Sequence, residues 1–334
     1  MNTETMNPAR EEKEHPKKKG VRWPVWSTLG LLLVLLPFIL EKGVSSYYLF
    51  LTVKVLIWVL FATSFNLVLG YGGMMSLGHA AFFGIGAYTC ALLLVKASCP
   101  PVLAMLAGPL AAAIAGMIAA FFSVRVQGAF YFATITIAFC QLAYTAAFKW
   151  RSLTFGDDGV QGIPVPAFIS TEASYINLYF FALAVTVLCL YVVWRIVKSP
   201  YGLLLRALKE DPVRATFIGM KGQQYRFIAF VTSAFFAGIA GVLYAFLETS
   251  VAPDILSWTF SGEVVLMSVL GGMNLFLGPA VGAAIMILLS SFVTSYMKYW
   301  LFTMGTILIL IVLFCPKGVG GLVLDKYRAW TKGE

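Results

Sequence analysis

Very few side chains in this 334-residue chain have a type and spacing suited to chemistry. Only two histidines occur, which excludes a multi-histidine metal site. The five cysteines, Cys90, Cys99, Cys140, Cys189 and Cys315, form no CxxC pair and no metal-ligand spacing. As small hydrophobes they need no further role. No GxxxxGK[ST] pattern occurs, so the chain cannot by itself bind and hydrolyse ATP through a phosphate loop. What remains is chemistry done by the backbone. Residues 70–88 read GYGGMMSLGHAAFFGIGAY, six of the nineteen being glycine, with Ser76 and His79 among them. Glycine allows positive φ and close backbone approach, so a helix can break there and turn its carbonyls toward a cavity.

That stretch has a partner. Gly72-Gly73-Met74 followed by Leu77-Gly78-His79-Ala80 is matched by Gly271-Gly272-Met273 followed by Leu277-Gly278-Pro279-Ala280, with one extra residue in the second copy. The likeness suggests a parallel internal duplication. Paired glycine- or proline-interrupted segments in the two halves of a transporter point to a substrate path. Gly72, Gly73, Ser76, His79, Gly271, Gly272 and Asn274 are the candidate path residues, with positive φ expected at Gly72 and Gly272. His79 has no carboxylate near it in sequence and reads as a hydrogen-bonded structural histidine. Gly84 and Gly86 fit close helix packing equally well.

The elements that must hold these segments are membrane helices. The chain is 60% hydrophobic and only 12% charged, against roughly a quarter charged in a soluble domain. Apolar runs near the roughly 20 residues of a bilayer-crossing helix recur along it, and no strand alternation suggests an outer-membrane barrel. The expected fold is all-α: a polytopic integral membrane helical bundle of about ten transmembrane helices with broken or re-entrant glycine segments. The spans fall near 25–40, 47–69, 78–96, 101–123, 128–148, 175–197, 225–249, 259–271, 278–296 and 298–315. The first lacks a small-x-small cleavage site after it and reads as a retained span. A basic tail, 1–22, precedes the transmembrane region 23–315, and a second tail, 316–334, follows it.

Charge orients the bundle. If the N-terminal tail is cytoplasmic, eighteen of the 24 Lys and Arg lie inside, five lie outside and Lys54 sits in a span. Seven acids fall outside in this topology: Glu41, Asp157, Asp158, Glu172, Glu248, Asp254 and Glu263. The positive-inside rule then gives N-in and C-in, and the +9 net charge meets anionic lipid headgroups without any need for nucleic acid. Lys54 lies close enough to the outer face to snorkel. Asn66, Gln127, Thr134, Thr136, Gln141 and Asn274 are neutral and suit interhelical hydrogen bonds. With no charge placed at mid-membrane, an ion-coupled carrier lacks its usual intramembrane carboxylate. The energy must come from elsewhere.

Two connections are long. The outer one, 149–174, is rich in glycine and proline and reads as an ordered, turn-rich loop. The inner one, 198–224, contains KSPYGLLLRALKEDPVRATFIGM. Ser199-Pro200 begins a helix as cap and first residue. Leu203, Leu204, Ala207 and Leu208 form an apolar stripe opposite Arg206, Lys209 and Glu210. Asp211-Pro212 ends that helix and caps a second, which Gly219 stops. Two short amphipathic helices with a sharp break suit docking to a cytoplasmic partner, although an interfacial anchor would share their pattern.

Here the sequence resembles the membrane permease subunit of branched-chain amino acid ABC importers, of the larger of the two permease types. The resemblance runs over roughly residues 47–320, through NLVLGYGGMMSLGHAAFFGIGAY, GDDGVQGI, SPYGLLLRALKEDPVRATFIGM, AFFAGIAGVLYA, VLGGMNLFLGPAVGA and PKGVGGL in order. One departure is GDDG, where the family often opens with threonine-glycine-glycine. The resemblance implies a bacterial inner-membrane assembly of two permeases, two ATP-binding subunits and a periplasmic substrate-binding protein. ATP would be bound by the partner subunits, with no cofactor and no catalytic residue in this chain. It also implies that Arg206, Ala207, Leu208, Glu210, Asp211 and Gly219 couple to the ATPase, and that the solute is a neutral apolar amino acid. Permeases for urea, short amides or other amino acids, and an ion-coupled secondary carrier, are the alternatives at this stage.

Overall fold

The computed structural model describes residues 37, 46–126, 128–169, 175–217, 219–296, 299–314 and 318–321. The N-terminal tail, nearly all of the expected first span and most of the C-terminal tail lie outside the described residues, as does Gln127.

The described chain is a helical bundle. Helix α1 covers Ser46–Asn66 and runs on through a π turn at Leu67–Tyr71. It is followed by α2 (His79–Val95), α3 (Pro101–Ser123), α4 (Ala129–Lys149) and α5 (Ile176–Lys198). Two short helices, α6 (Pro200–Glu210) and α7 (Pro212–Phe217), lead to the long α8 (Gly222–Glu248). The chain ends in α9 (Trp258–Gly271), α10 (Gly278–Tyr296) and α11 (Trp300–Phe314).

Among the described residues, six helices are long and apolar enough to cross a membrane: α1 with its π turn, α3, α4, α5, α8 and α10. Helices α2 and α9 are apolar but short. Their 17 and 14 residues rise about 25 and 21 Å at roughly 1.5 Å per residue, less than the roughly 30 Å apolar core of a bilayer. The all-α polytopic bundle is thus seen, with six long apolar helices among the described residues, while the expected span near 25–40 lies almost wholly outside them. The two short helices are each bordered by a glycine segment of irregular backbone, before α2 and after α9.

The centre of the bundle is α8 packed on α2 and α3, and small residues set its spacing. A Cβ on Gly86 would lie 2.5 Å from the Gly238 carbonyl oxygen. Only glycine lets two backbones approach so closely, which settles Gly86 as a packing residue. Large side chains such as Leu106, Leu110 and Ile114 on α3 and Leu188 on α5 point outward and are more than half exposed. So wide an apolar exterior is what a lipid-facing surface requires.

The loop at 149–174 is ordered by short elements where it is described. After a helical turn at Arg151–Thr154, β1 (Val160–Gln161) pairs antiparallel with β2 (Ser250–Val251), with Val160 opposite Val251. The chain then dips back through Pro253–Leu256, burying Ile255 and Leu256. One expectation about charge changes here. Lys54 does not snorkel alone: its Nζ lies 2.9 Å from Glu248 Oε1. Glu263 sits in the second turn of α9, within the expected span 259–271, at an exposed position.

Candidate functional site

The two glycine segments meet. α1 and α10 flank one another, and the first break, 72–78, lies beside the second, 272–277. A Cβ on Gly70 would lie 2.5 Å from the Met273 carbonyl oxygen, and Asn66 Nδ2 donates to the Leu275 carbonyl at 3.4 Å. In the first break, the Gly73 and Met74 amides donate back to the Leu69 and Val68 carbonyls at 3.2 and 3.0 Å. Positive φ falls on Gly73 (+65°) and not on Gly72, whose φ of −87° is ordinary helical backbone. The π turn places Gly72 as its cap, so the reversal is delayed by one residue. Gly272 has φ +101° as expected, and Gly271 still belongs to α9.

Backbone donors released by the first break find side-chain partners on other helices. The Leu77 amide donates to Thr136 Oγ1 of α4 at 3.2 Å, and the Ala80 amide to Ser261 Oγ of α9 at 2.9 Å. A helix start inside a membrane needs such partners, because lipid supplies none. Thr136 and Asn274 thus make the expected interhelical bonds, while Thr134 bonds only within its own helix. Ser76 is fully buried, and its hydroxyl has no partner among the described residues.

His79 is fully buried among Phe61, Phe65 and Phe82. Its Nε2 lies 3.3 Å from both Ser64 Oγ and Ser233 Oγ. Those two hydroxyls already donate, to the carbonyls of Phe61 and Ser64. They can therefore only accept from the ring, so Nε2 carries the hydrogen and Nδ1 is left without a partner. This arrangement suits a structural histidine tying α1, α2 and α8 together. It offers no carboxylate to complete a proton relay.

The amphipathic pair docks directly below the breaks. Ser199 Oγ caps α6 by accepting from the Gly202 amide at 3.5 Å, with Pro200 at the first position. Asp211 Oδ1 accepts from the amides of Val213 and Arg214, both at 3.0 Å, which caps α7, and Gly219 at φ +82° follows it. The buried face of α6 is Gly202, Leu205 and Leu208, so the expected stripe is corrected by rotation. Leu203, Arg206, Ala207 and Glu210 face outward. The α6 face is fixed by α8: the Tyr201 hydroxyl donates to the Tyr225 carbonyl at 2.7 Å, and Arg226 to the Leu208 carbonyl at 3.4 Å. Burial pushes the Tyr201 phenol well above its ordinary range, keeping it a donor.

Lys209 is the residue that charge pattern alone misplaces. It does not share the outward face of Glu210. Its Nζ donates to the Gly70 carbonyl at 2.7 Å and to Asn274 Oδ1 at 3.3 Å, one group from the π turn that leads into the first break and one from the second break. Its stem lies against Gly73, where a Cβ would come within 2.8 Å of Lys209 Cγ. Beside it, the Arg206 guanidinium stands 4.8 Å from the Tyr71 ring centroid at the end of the π turn. Gly318 closes the underside, where an added Cβ would meet the Gly272 amide nitrogen at 2.5 Å. One helix of the amphipathic pair therefore grips both broken segments, while its opposite face stays open. Among the described residues no group of His, Cys, Asp and Glu is placed to hold a metal ion.

The chain is 28% identical over 320 residues to the high-affinity branched-chain amino acid transport system permease protein LivM of Escherichia coli (strain K12), covering 87% of this chain and 73% of that protein. It is 26% identical over 211 residues to the guanosine ABC transporter permease protein NupQ of Bacillus subtilis (strain 168), covering 57% and 63%. A probable branched-chain amino acid transport permease protein LivH of Methanocaldococcus jannaschii is 25% identical over 197 residues, covering 55% and 56%. No solved structure matches the chain significantly. The family model described as "branched-chain amino acid transport system / permease component" matches residues 47–314, from the start of α1 to the end of α11. Membrane helices, paired glycine breaks and an amphipathic pair beneath them, matched by that model over most of the chain, make this protein a member of the branched-chain amino acid ABC transporter permease family.

Proposed function

We propose that the chain is one of two permease subunits of an importer in the bacterial inner membrane. Two cytoplasmic ATP-binding subunits drive it, and a periplasmic binding protein delivers leucine, isoleucine or valine. The observation that carries the reading is the double hold of Lys209 on Gly70 and Asn274. It joins a docking helix to both halves of the glycine-lined path, which is the connection a permease without its own phosphate loop needs. The breaks at 72–78 and 272–277 then form part of the path, and 198–224 faces the ATPase. The amino acid reading is favoured over a nucleoside because the LivM relative spans 87% of the chain and the guanosine permease 57%. The test is leucine uptake into proteoliposomes holding the full complex and ATP. Uptake that ignores excess leucine but yields to guanosine or urea would assign a different solute.

Two further outcomes follow. With 198–224 cytoplasmic, both termini lie inside, so cysteines placed at Met1 and Glu334 should resist a membrane-impermeant thiol reagent in intact cells. Labelling of either would overturn the topology. The outward face of the amphipathic pair presents Leu203 and Val213 at 62% exposure and Phe217 at 86%, around Glu210. Such apolar residues beside a charge suit a desolvated protein contact. Removing a charge from such a contact costs roughly 2–5 kcal/mol, against roughly 0–1 kcal/mol for an exposed surface pair. Glu210→Lys should therefore lower binding-protein-stimulated ATP hydrolysis and uptake together, in a permease that still inserts. Unchanged stimulation in that variant would place the coupling contact elsewhere.

A further inference from the structure

A groove opens between α3 and α8 at the end of the bundle that carries α6. The two helices touch at Gly116, where an added Cβ would lie 2.4 Å from Ala234 Cβ. One turn beyond that contact, a cavity of about 340 Å³ begins between the end of α3 and the start of α8. Ala120, Phe121 and Val124 wall it on one side, and Phe227 and Ile228 on the other. Arg125, Gln223 and Gln224, all exposed, complete the lining at the helix ends. The 23 residues of α3 rise about 34 Å at roughly 1.5 Å each, more than the roughly 30 Å apolar core of a bilayer. Arg125, two residues past the end of that helix, therefore stands at headgroup level.

The Arg125 guanidinium lies over the Phe121 ring, 3.8 Å from its centroid. Such stacking leaves the N–H edge of the group free to grip an oxyanion. Among the described residues no carboxylate takes that edge. The described acids at this end are Glu210 and Asp211, and Asp211 pairs with Arg214 at 2.8 Å. Lys209 and Arg226, by contrast, are occupied on backbone carbonyls. The side-chain amides of Gln223 and Gln224 are likewise without hydrogen bonds among the described residues.

Toward the bilayer centre the lining turns apolar and continues into the outer surface of α3. Phe121, Ile118 and Ile114 fall on one face at helical spacing and are all exposed, as is Ile228 on α8. A free phosphate would leave that floor uncovered, whereas a phospholipid covers floor and mouth together. The lining contains no Asp or Glu, so the ammonium of a choline or ethanolamine head finds no partner. Hydroxyls of a glycerol head meet the glutamine amides, which both donate and accept. We propose that Arg125, Gln223 and Gln224, with the floor of Phe121, Phe227 and Ile228, form a site for one anionic phospholipid of the phosphatidylglycerol class. Arg125 holds the phosphate, the two glutamines hold the head hydroxyls, and an acyl chain follows Ile118 and Ile114 along α3. The site is independent of which solute the importer carries. An arginine that merely snorkelled would meet every headgroup phosphate alike, so selectivity between heads is what decides.

The experiment is native mass spectrometry of the purified complex in detergent, titrated with phosphatidylglycerol or with phosphatidylcholine of the same chains. The first phosphatidylglycerol is expected to bind about fivefold more tightly or better, the order set by one basic residue at an anionic head. Excess glycerol 3-phosphate should not displace it. Arg125→Gln should abolish the preference. Arg195→Gln, which removes an exposed charge of α5 outside the groove, should keep it. Equal binding of the two lipids, or an unchanged preference in Arg125→Gln, would overturn the site. An equal loss in Arg195→Gln would also overturn it, by showing general attraction to a basic surface. Displacement by glycerol 3-phosphate would replace the lipid with a soluble phosphate and overturn it too. Should Arg125→Gln fail to assemble, the double variant Q223L/Q224L carries the same test, with the same loss of preference expected.

Discussion

Replacing Gly278 with alanine is expected to cost the protein its folded state, and transport with it. The new Cβ would stand 2.1 Å from the Gly272 carbonyl oxygen and 2.9 Å from that of Gly271. Both atoms are main chain, so no rotamer change relieves the clash. The reverse contacts are as tight: a Cβ on Gly271 would lie 1.8 Å from the Gly278 carbonyl oxygen, and one on Gly282 would lie 1.9 Å from that of Met267. α9 and α10 therefore meet backbone to backbone just where the second break turns, and Gly278 and Gly282 are the small residues that permit it. Overpacking a well-filled interior costs roughly 1–3 kcal/mol. Contacts with two fixed carbonyls put Gly278→Ala at or above the top of that range. The check is thermal unfolding of the purified permease, with Gly305→Ala as the comparison, since nothing lies within 4 Å of a Cβ there. The first should melt far earlier and reach the membrane poorly, and the second should match the wild type. Equal melting of the two would mean that the α9–α10 crossing does not hold the break together.

Much of this arrangement is legible in the residues themselves. Continuous apolar runs mark the long helices, and GGM with LG-x-A marks both breaks, because glycine is favoured by the positive φ at Gly73 and Gly272 and required by the close carbonyls around Gly278. Ser199-Pro200, Asp211-Pro212 and Gly219 delimit the amphipathic pair, since capping is a local matter of one side chain and the next few amides. What stays hidden depends on partners far away in sequence. His79 looks isolated until Ser233, 154 residues on, supplies a hydroxyl. Lys54 looks like a snorkelling lysine until Glu248 arrives 194 residues later. Lys209 sits beside Glu210 on a helical wheel, and periodicity cannot say that a carbonyl freed at Gly70 needs a donor at that place.

For that reason Lys209→Met is the substitution that separates docking from transmission. Methionine keeps an unbranched stem against Gly73 and removes only the ammonium. The Gly70 carbonyl and Asn274 Oδ1 then lose a charged donor now at 2.7 and 3.3 Å. Hydrogen bonds to charged groups are worth roughly 1.5–3 kcal/mol, and every 1.4 kcal/mol is about tenfold in an equilibrium. If movement of α6 must carry both breaks with it, the coupled state is disfavoured by about tenfold to a hundredfold. The outward residues Leu203, Arg206, Ala207 and Glu210 are untouched, so the ATPase still docks and is still stimulated. Leucine moved per ATP hydrolysed should therefore fall at least tenfold in proteoliposomes, with hydrolysis itself near the wild-type rate. Glu210→Lys, by contrast, lowers both together, because it acts at the docking face. Lys209→Arg should fall between, since a guanidinium fork replaces a compact ammonium in a space shaped by Gly73. A Lys209→Met complex that moves the wild-type amount of leucine per ATP would show that the breaks are driven through another contact, of which Arg206 on Tyr71 is the nearest.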